Sequence, residues 1–215
     1  VRNFVNREEQ KQKEVFIRQD PAVGREIEFD WGEVKLFIDG KLRSFSLAVF
    51  TLAYSNERYA RLYESETMIC VQDAHVKCIE ALGFVPNVFT YDNMRTVVKN
   101  FVGNDRFITD GMKSLSLHYH FQIRLCQPRK GNEKGHVEGK VGYHRRNMFV
   151  PLPVFNRVED YNKTLFELCE KDQERPHYKR KVEISKLMLE DKKAMKPLPK
   201  QPYEVQRFKQ LKANA

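Results

Sequence analysis

Residues 26–40 read EIEFDWGEVKLFIDG, and their periodicity decides the fold. Ile27, Phe29 and Trp31 alternate with Glu28 and Asp30, the period-two signature of a strand with one buried face. Residues 34–38 continue it. Asp39-Gly40 then predicts a hairpin turn, because glycine readily takes the positive φ that a tight primed turn needs. Residues 44–54 form the predicted second strand, largely apolar and so suited to the middle of a sheet. Ser55-Asn56 turns the chain again, and residues 58–63 make a third strand. The opening is an antiparallel set of three.

Beyond it the period changes. Thr67 can cap a helix whose apolar stripe is Met68, Val71, His75/Val76, Ile79 and Leu82, and Gly83 can end it. Pro86 opens a short strand over 87–91 that runs out at Asp92. A variable stretch follows, then a helix around 109–120 and a fifth strand over 121–125, which Pro128 breaks. Residues 132–146, NEKGHVEGKVGYHRR, are expected to be helical. The order β-β-β-α-β-α-β-α joins antiparallel strands to parallel crossovers and predicts an α/β fold, a mixed five-stranded sheet flanked by helices. Residues 1–24 read as a lead-in, 25–150 as the core, 151–195 as a helical extension (helical over 156–195), and 196–215 as a proline-rich extended tail or linker.

The chain of 215 residues can bury a sizeable core as one domain with an extension. Its 38 Lys and Arg against 29 Asp and Glu give a net charge of +9, which favours a polyanionic partner, nucleic acid ahead of a membrane surface. The excess is uneven. Residues 121–150 hold seven Lys/Arg and two Glu, and residues 171–200 hold ten Lys/Arg and five acids, whereas 26–40 hold five acids and one Lys. An acidic spot inside a basic chain is how a cation site beside a phosphate site would look. The four cysteines form no CxxC pair and fit no zinc template, so they read as reduced, mostly buried thiols of a cytoplasmic protein. His118, His120 and Cys126 could meet a metal in principle, but HYHF reads more easily as a helix end running into a strand. No apolar run approaches the ~18 residues that span a bilayer. Val1 in place of a methionine reads as a segment cut from a longer protein.

Three carboxylates stand out by position. Phosphoryl transfer between nucleic acid strands can be run by two divalent cations held by two or three carboxylates on rigid elements. Asp30 lies within the first strand, where the plainer reading is a solvated strand face and Glu28 is a rival on the same face. Asp92 lies where NVFTY runs out, at the end of a strand where ligand-binding residues collect, although a turn aspartate is equally common there. Glu138 lies on the last helix, where a surface pair with Lys134 is the modest alternative. Gly135, Gly139 and Gly142 cost that helix roughly 2–3 kcal/mol of propensity relative to alanine, and close approach of another backbone or of DNA would offset it. Whether Trp31 and Tyr143 pack in the core or stack on DNA is open at this level.

On these positions the chain resembles the catalytic core of DDE transposases and retroviral-type integrases, with a ribonuclease-H-like fold, and more narrowly the IstA-type transposases of bacterial insertion sequences. The matching segments are EFDWGEVKLFIDG, VPNVFTYDNMRTVV and RKGNEKGHVEGKVGYHRRNMF, with the proline punctuation at 196–199, within a resemblance that runs from about residue 24 to 202. The resemblance implies catalytic and metal-binding roles for Asp30, Asp92 and Glu138, with two Mg²⁺ ions (Mn²⁺ as substitute). It implies DNA contacts for Lys134, Lys140, Arg145 and Arg146, with Arg129 and Lys130 close by. Glu33 and Glu133 are neighbouring acids that could confuse the assignment. The motif is often richer in Arg and poorer in Gly than it is here. Cleavage at transposon ends followed by strand transfer is the implied reaction. A hydrolytic nuclease of the same fold and a non-catalytic DNA-binding scaffold are the alternatives. Family logic adds a homo-oligomer on DNA, a AAA+ helper ATPase, and a bacterial cytoplasmic location on the nucleoid. It also adds an N-terminal helix-turn-helix module and a small C-terminal β-rich domain, neither visible in this sequence, with residues 203–215 as the start of a linker.

Overall fold

The computed structural model describes residues 20–92, 94–102, 105–126 and 137–205, with side chains at 100–102, 105 and 137–140 outside the description. β1 (Glu26–Ile38) is one 13-residue strand. It turns at Asp39-Gly40, whose φ values are both positive at 51° and 70°, into β2 (Lys41–Leu52). Ile38 pairs with Lys41 directly across this turn, so β2 begins three residues before the apolar run that starts near Ser44. The chain reverses at Asn56, φ 62°, into β3 (Arg58–Tyr63). α1 (Met68–Leu82) starts where the Thr67 side chain accepts from the Cys70 amide and ends at Gly83, φ 74°. Then come β4 (Phe84–Val85), β5 (Val88–Tyr91), β6 (Val98–Val102), β7 (Asp105–Ile108), α2 (Asp110–Tyr119) and β8 (Gln122–Leu125). α3 (Val137–Met148), β9 (Val154–Phe155), α4 (Val158–Asp172), α5 (Ile184–Ala194) and β10 (Lys196–Pro197) complete the order.

The main sheet runs β3-β2-β1-β5-β8. β1, β2 and β3 are antiparallel, and β5 and β8 run parallel to β1. This is the mixed sheet expected from the element order. β9 adds a sixth strand, parallel to the far end of β1 at Phe37 and Ile38. The variable stretch after Asp92 contains an antiparallel hairpin, β6 with β7, whose signal in the sequence is apolar residues on both sides of Gly103-Asn104. Residues 156–195 depart from the expected continuous helical reading. α4 and α5 are separated by a segment in which Pro176, unable to donate a backbone hydrogen bond, bridges to Glu183.

Both faces of the sheet are covered. One core gathers Ile27, Phe29, Phe50, Phe89 and Tyr91 with Val71 and Ile79 of α1 and Met112 and Leu115 of α2. The other gathers Val34, Leu36, Ile38, Leu47 and Val49 with Val141 and Met148 of α3 and Tyr161 and Leu165 of α4. β1 serves both. Ile27 and Phe29 are buried before Gly32 and the even-numbered residues after it, so the even face changes from Glu26, Glu28 and Asp30 to Val34, Leu36 and Ile38. The strand is continuous, as the periodicity predicts, and the buried face switches within it.

Candidate functional site

β1 and β5 pair in register from Glu26 with Val88 to Phe29 with Tyr91. Asp30 and Asp92 are the next residues of the two chain segments, Asp30 still within β1 and Asp92 directly after β5. Asp30 sits in mid-strand opposite Val49 of β2 and is half-buried rather than on a solvated face. The Trp31 amide donates to its Oδ1 at 2.9 Å. Asp92 is also half-buried and follows the last residue of β5.

Two networks fix these strands. Tyr91, fully buried, meets Nε2 of the equally buried His75 at 2.9 Å, while His75 Nδ1 lies 2.7 Å from the Val71 carbonyl. A carbonyl can only accept, so Nδ1 carries the proton and Nε2 accepts from the Tyr91 hydroxyl. Burial lowers the His75 imidazole to about 4, the bond to Val71 opposing that shift, and keeps the ring neutral at physiological pH. α1 thereby grips β5 one residue before Asp92. On the Asp30 face, Glu26 accepts from Thr90 Oγ1 at 2.6 Å and from Arg124 Nη1 at 3.0 Å, tying β1, β5 and β8 together.

α3 crosses the same face. A Cβ at Gly32 would lie 2.3 Å from Val141 Cγ1, so only glycine there admits the helix. Gly142, by contrast, faces only the Arg146 guanidinium, so the close approach is made by a strand glycine and not by this helix glycine. Position 138 lies one turn before Val141 on the same stripe of α3. The side chains of Glu138 and Lys140, and Arg129, Lys130, Glu133 and Lys134 entirely, lie outside the described residues. Arg145 and Arg146 are exposed, and Arg145 Nε donates to the Glu33 carbonyl at 2.8 Å. Glu28 is half-buried two residues before Asp30, and Glu33 is exposed. Among the described residues no group of three or more His, Cys, Asp or Glu is arranged to hold a metal.

The two aromatic residues left open by the sequence both pack within the protein. Trp31 sits edge-on to Phe29 and Tyr63, with ring centroids 5.3 and 5.9 Å apart. Tyr143 lies beneath Arg58, 3.8 Å from its Cζ, and bonds Asp172. Sequence reasoning passed over Gly32, His75, the Glu26–Thr90–Arg124 network and the Arg58–Asp172–Arg175 cluster behind Tyr143. A glycine in the middle of a strand was the one available signal, since it marks a close backbone approach.

No family model matches the chain. A transposase of Aminobacter aminovorans is 31% identical over 176 residues, 81% of this chain and 35% of that protein. The transposase for insertion sequences IS1326/IS1353 of Pseudomonas aeruginosa is 32% identical over 158 residues, 73% of this chain and 31% of that protein. The chain belongs to the insertion-sequence transposases. The transposase of insertion sequence IS21, also from Pseudomonas aeruginosa, is 29% identical over 141 residues, 65% of this chain and 36% of its own length, in keeping with the IstA-type motifs. This transposase-family chain spans about a third of the length of these curated relatives. Among solved structures it is similar to the simian T-cell lymphotropic virus intasome in complex with a PP2A regulatory subunit. The TM-score is 0.61 at 14% identity, over 93% of this chain and 63% of that one. It is also similar to the HTLV-2 integrase catalytic core domain in complex with magnesium, with a TM-score of 0.54 at 12% identity over 79% and 99%. These likenesses establish the integrase-core fold. No described helix is long and apolar enough to cross a membrane.

Proposed function

We propose that the chain is the catalytic core of a DNA transposase in which Asp30, Asp92 and Glu138 hold two divalent cations, Mg²⁺ or in its place Mn²⁺. The reaction is cleavage at transposon ends and transfer of the freed 3′-hydroxyls into target DNA. The observation that carries this reading is the pairing of β1 with β5 up to Phe29 and Tyr91, the residues directly before Asp30 and Asp92, in the sheet that α3 crosses at Gly32. Carboxylates are the hard oxygen donors that Mg²⁺ prefers; Asp30 lies on a paired strand and Asp92 directly follows one. The magnesium complex of the HTLV-2 integrase core adds support. When bound, such ions activate the attacking oxygen and stabilise the leaving one.

The protein's own part is positioning. β1 holds Asp30 between two hydrogen-bonded neighbours, His75 fixes the end of β5 through Tyr91, and Val141 seats the helix that carries Glu138. Arg129, Lys130, Lys134, Lys140, Arg145 and Arg146 are assigned to phosphate contacts, which place DNA without reading its sequence. Arg145, with Nε given to β1, presents its terminal nitrogens to such a phosphate. Partners under this reading are transposon-end and target DNA, a second copy of the chain on paired ends, and a AAA+ helper ATPase, in the cytoplasm at the nucleoid.

The test supplies labelled transposon-end duplex and target DNA to the full-length protein with and without Mg²⁺. Joined products are expected only with the metal. Asp30→Asn, Asp92→Asn and Glu138→Gln are each expected to lose cleavage and joining by 10²-fold or about that order while still binding DNA. Cleavage without joining assigns a hydrolytic nuclease instead. Activity that survives all three changes refutes the carboxylate assignment.

A further inference from the structure

The basic excess over residues 171–200 has no part in the site above, and three of its ten cations fall in one built turn. Residues 177–181, HYKRK, connect α4 to α5. His177 is 4% exposed and forms the inside of the turn. Its Nδ1 accepts the amides of Lys179 at 3.2 Å and Arg180 at 3.0 Å. The backbone closes around it, with the His177 amide donating to the Val182 carbonyl at 2.7 Å and the Lys181 amide donating to the His177 carbonyl at 2.9 Å. Arg180 lies over the Tyr54 ring, 4.2 Å to its centroid. Lys179 reaches Asp20 at 2.5 Å in an exposed pair of the kind that yields readily to another anion.

Lys181 differs from its neighbours. It is exposed, and its ammonium meets no hydrogen-bonding or ionic partner among the described residues. Its φ is +58°, a conformation that glycine or asparagine would take at lower cost. A side chain with a Cβ is kept in a strained position while contributing nothing visible to the fold. Strain of this kind is found where a side chain is needed for function. Beside it Tyr178 is 53% exposed, with its ring 4.7 Å from that of His177. A rigid turn that presents a lysine and an aromatic edge outward, with two more cations at its sides, has the chemistry of a phosphate-backbone contact.

We propose that the turn at 177–181 is a second phosphate-contacting surface for duplex DNA, in a part of the fold other than the strands of Asp30 and Asp92, with Lys181 as its principal contact. The proposal rests on the reading of the chain as a DNA-acting core. The strained backbone supplies a clean variant, because Lys181→Gly removes the charge while relieving the conformation. The experiment measures binding of a 30-base-pair duplex by the full-length protein across a range of KCl concentrations, alongside thermal unfolding. Lys35→Gln, at an exposed lysine on β1, serves as the charge control. Lys181→Gly is expected to unfold at the same or a higher temperature than the parent. It should bind duplex about fivefold more weakly and lower the slope of log K against log salt by about 0.9. Unchanged affinity and slope overturn the proposal, as does an equal loss in Lys35→Gln, which would make the effect one of overall charge. A parent protein that does not bind duplex at all overturns the DNA reading itself, and this proposal with it.

Discussion

Glu57 is 5% exposed, and burial, with the Asp172 charge second, pushes its carboxyl up to about 8 from an ordinary value of 4.5. Its Oε1 accepts from Gln173 at 2.9 Å, while Oε2 has no hydrogen-bonding partner among the described residues. The folded chain therefore keeps a proton that the unfolded chain has released, and between pH 4.5 and 8 stability falls as pH rises. His75 acts in the opposite sense. Its folded value of about 4 lies below the ordinary 6.5, so its contribution is present above pH 6.5 and lost as pH falls towards 4. The two offset each other from 4.5 to 6.5, and Glu57 alone operates above that. Glu57→Gln is expected to flatten the decline in melting temperature between pH 6.5 and 8 that the parent shows, measured by circular dichroism at fixed ionic strength. At this scale the sequence was informative where a local turn or cap decides the residue, as at Gly83. It was silent on Glu57, because burial of a carboxylate depends on α4 folding over it from more than 100 residues away.

Elements were legible in proportion to how local their determinants are. The Asp39-Gly40 turn, the Thr67 cap and the Gly83 stop each depend on one or two residues, and each appears where the sequence points. The β6–β7 hairpin and the division of α4 from α5 were missed because neither follows from a single strong period. The seating of α3 also depends on a residue the sequence reading passed over, Gly32 on the strand. Gly32→Ala is expected to lower unfolding stability by about 1–3 kcal/mol, because Val141 is β-branched, buried and unable to turn aside. Gly32→Ala combined with Val141→Ala should recover much of that loss in urea titration. Equal midpoints for the parent and the single variant would show that α3 does not press on β1 as described.

For the molecule as a whole, the sheet topology was readable because hairpins and crossovers leave few ways to join such an order of elements. The attachment of the C-terminal elements was not readable. Asp191 of α5 is 1% exposed and accepts the Gly24 amide at 2.6 Å and the Ser55 amide at 3.2 Å, closing the C-terminal region onto both the start of β1 and the turn before β3. Asp191→Ala leaves both amides buried without that acceptor and is expected to cost about 2–4 kcal/mol, read from the urea midpoint of the purified chain. A shift under half a kcal/mol would make the extension an ornament rather than a fastening.

The partition of the sheet also bears on when the chain becomes dangerous. The three-stranded hairpin set is contiguous in sequence and needs only short turns, whereas β5, β8 and α3 each join after a crossover. During synthesis the ribosome releases Asp30 first, then Asp92, then Glu138, in the order of the sequence. A nascent or prematurely terminated polypeptide thus carries an incomplete set of ligands. Under the reading proposed here, such a fragment is harmless to the chromosome of the cell that makes it, and nuclease competence arrives only with the last crossover helix.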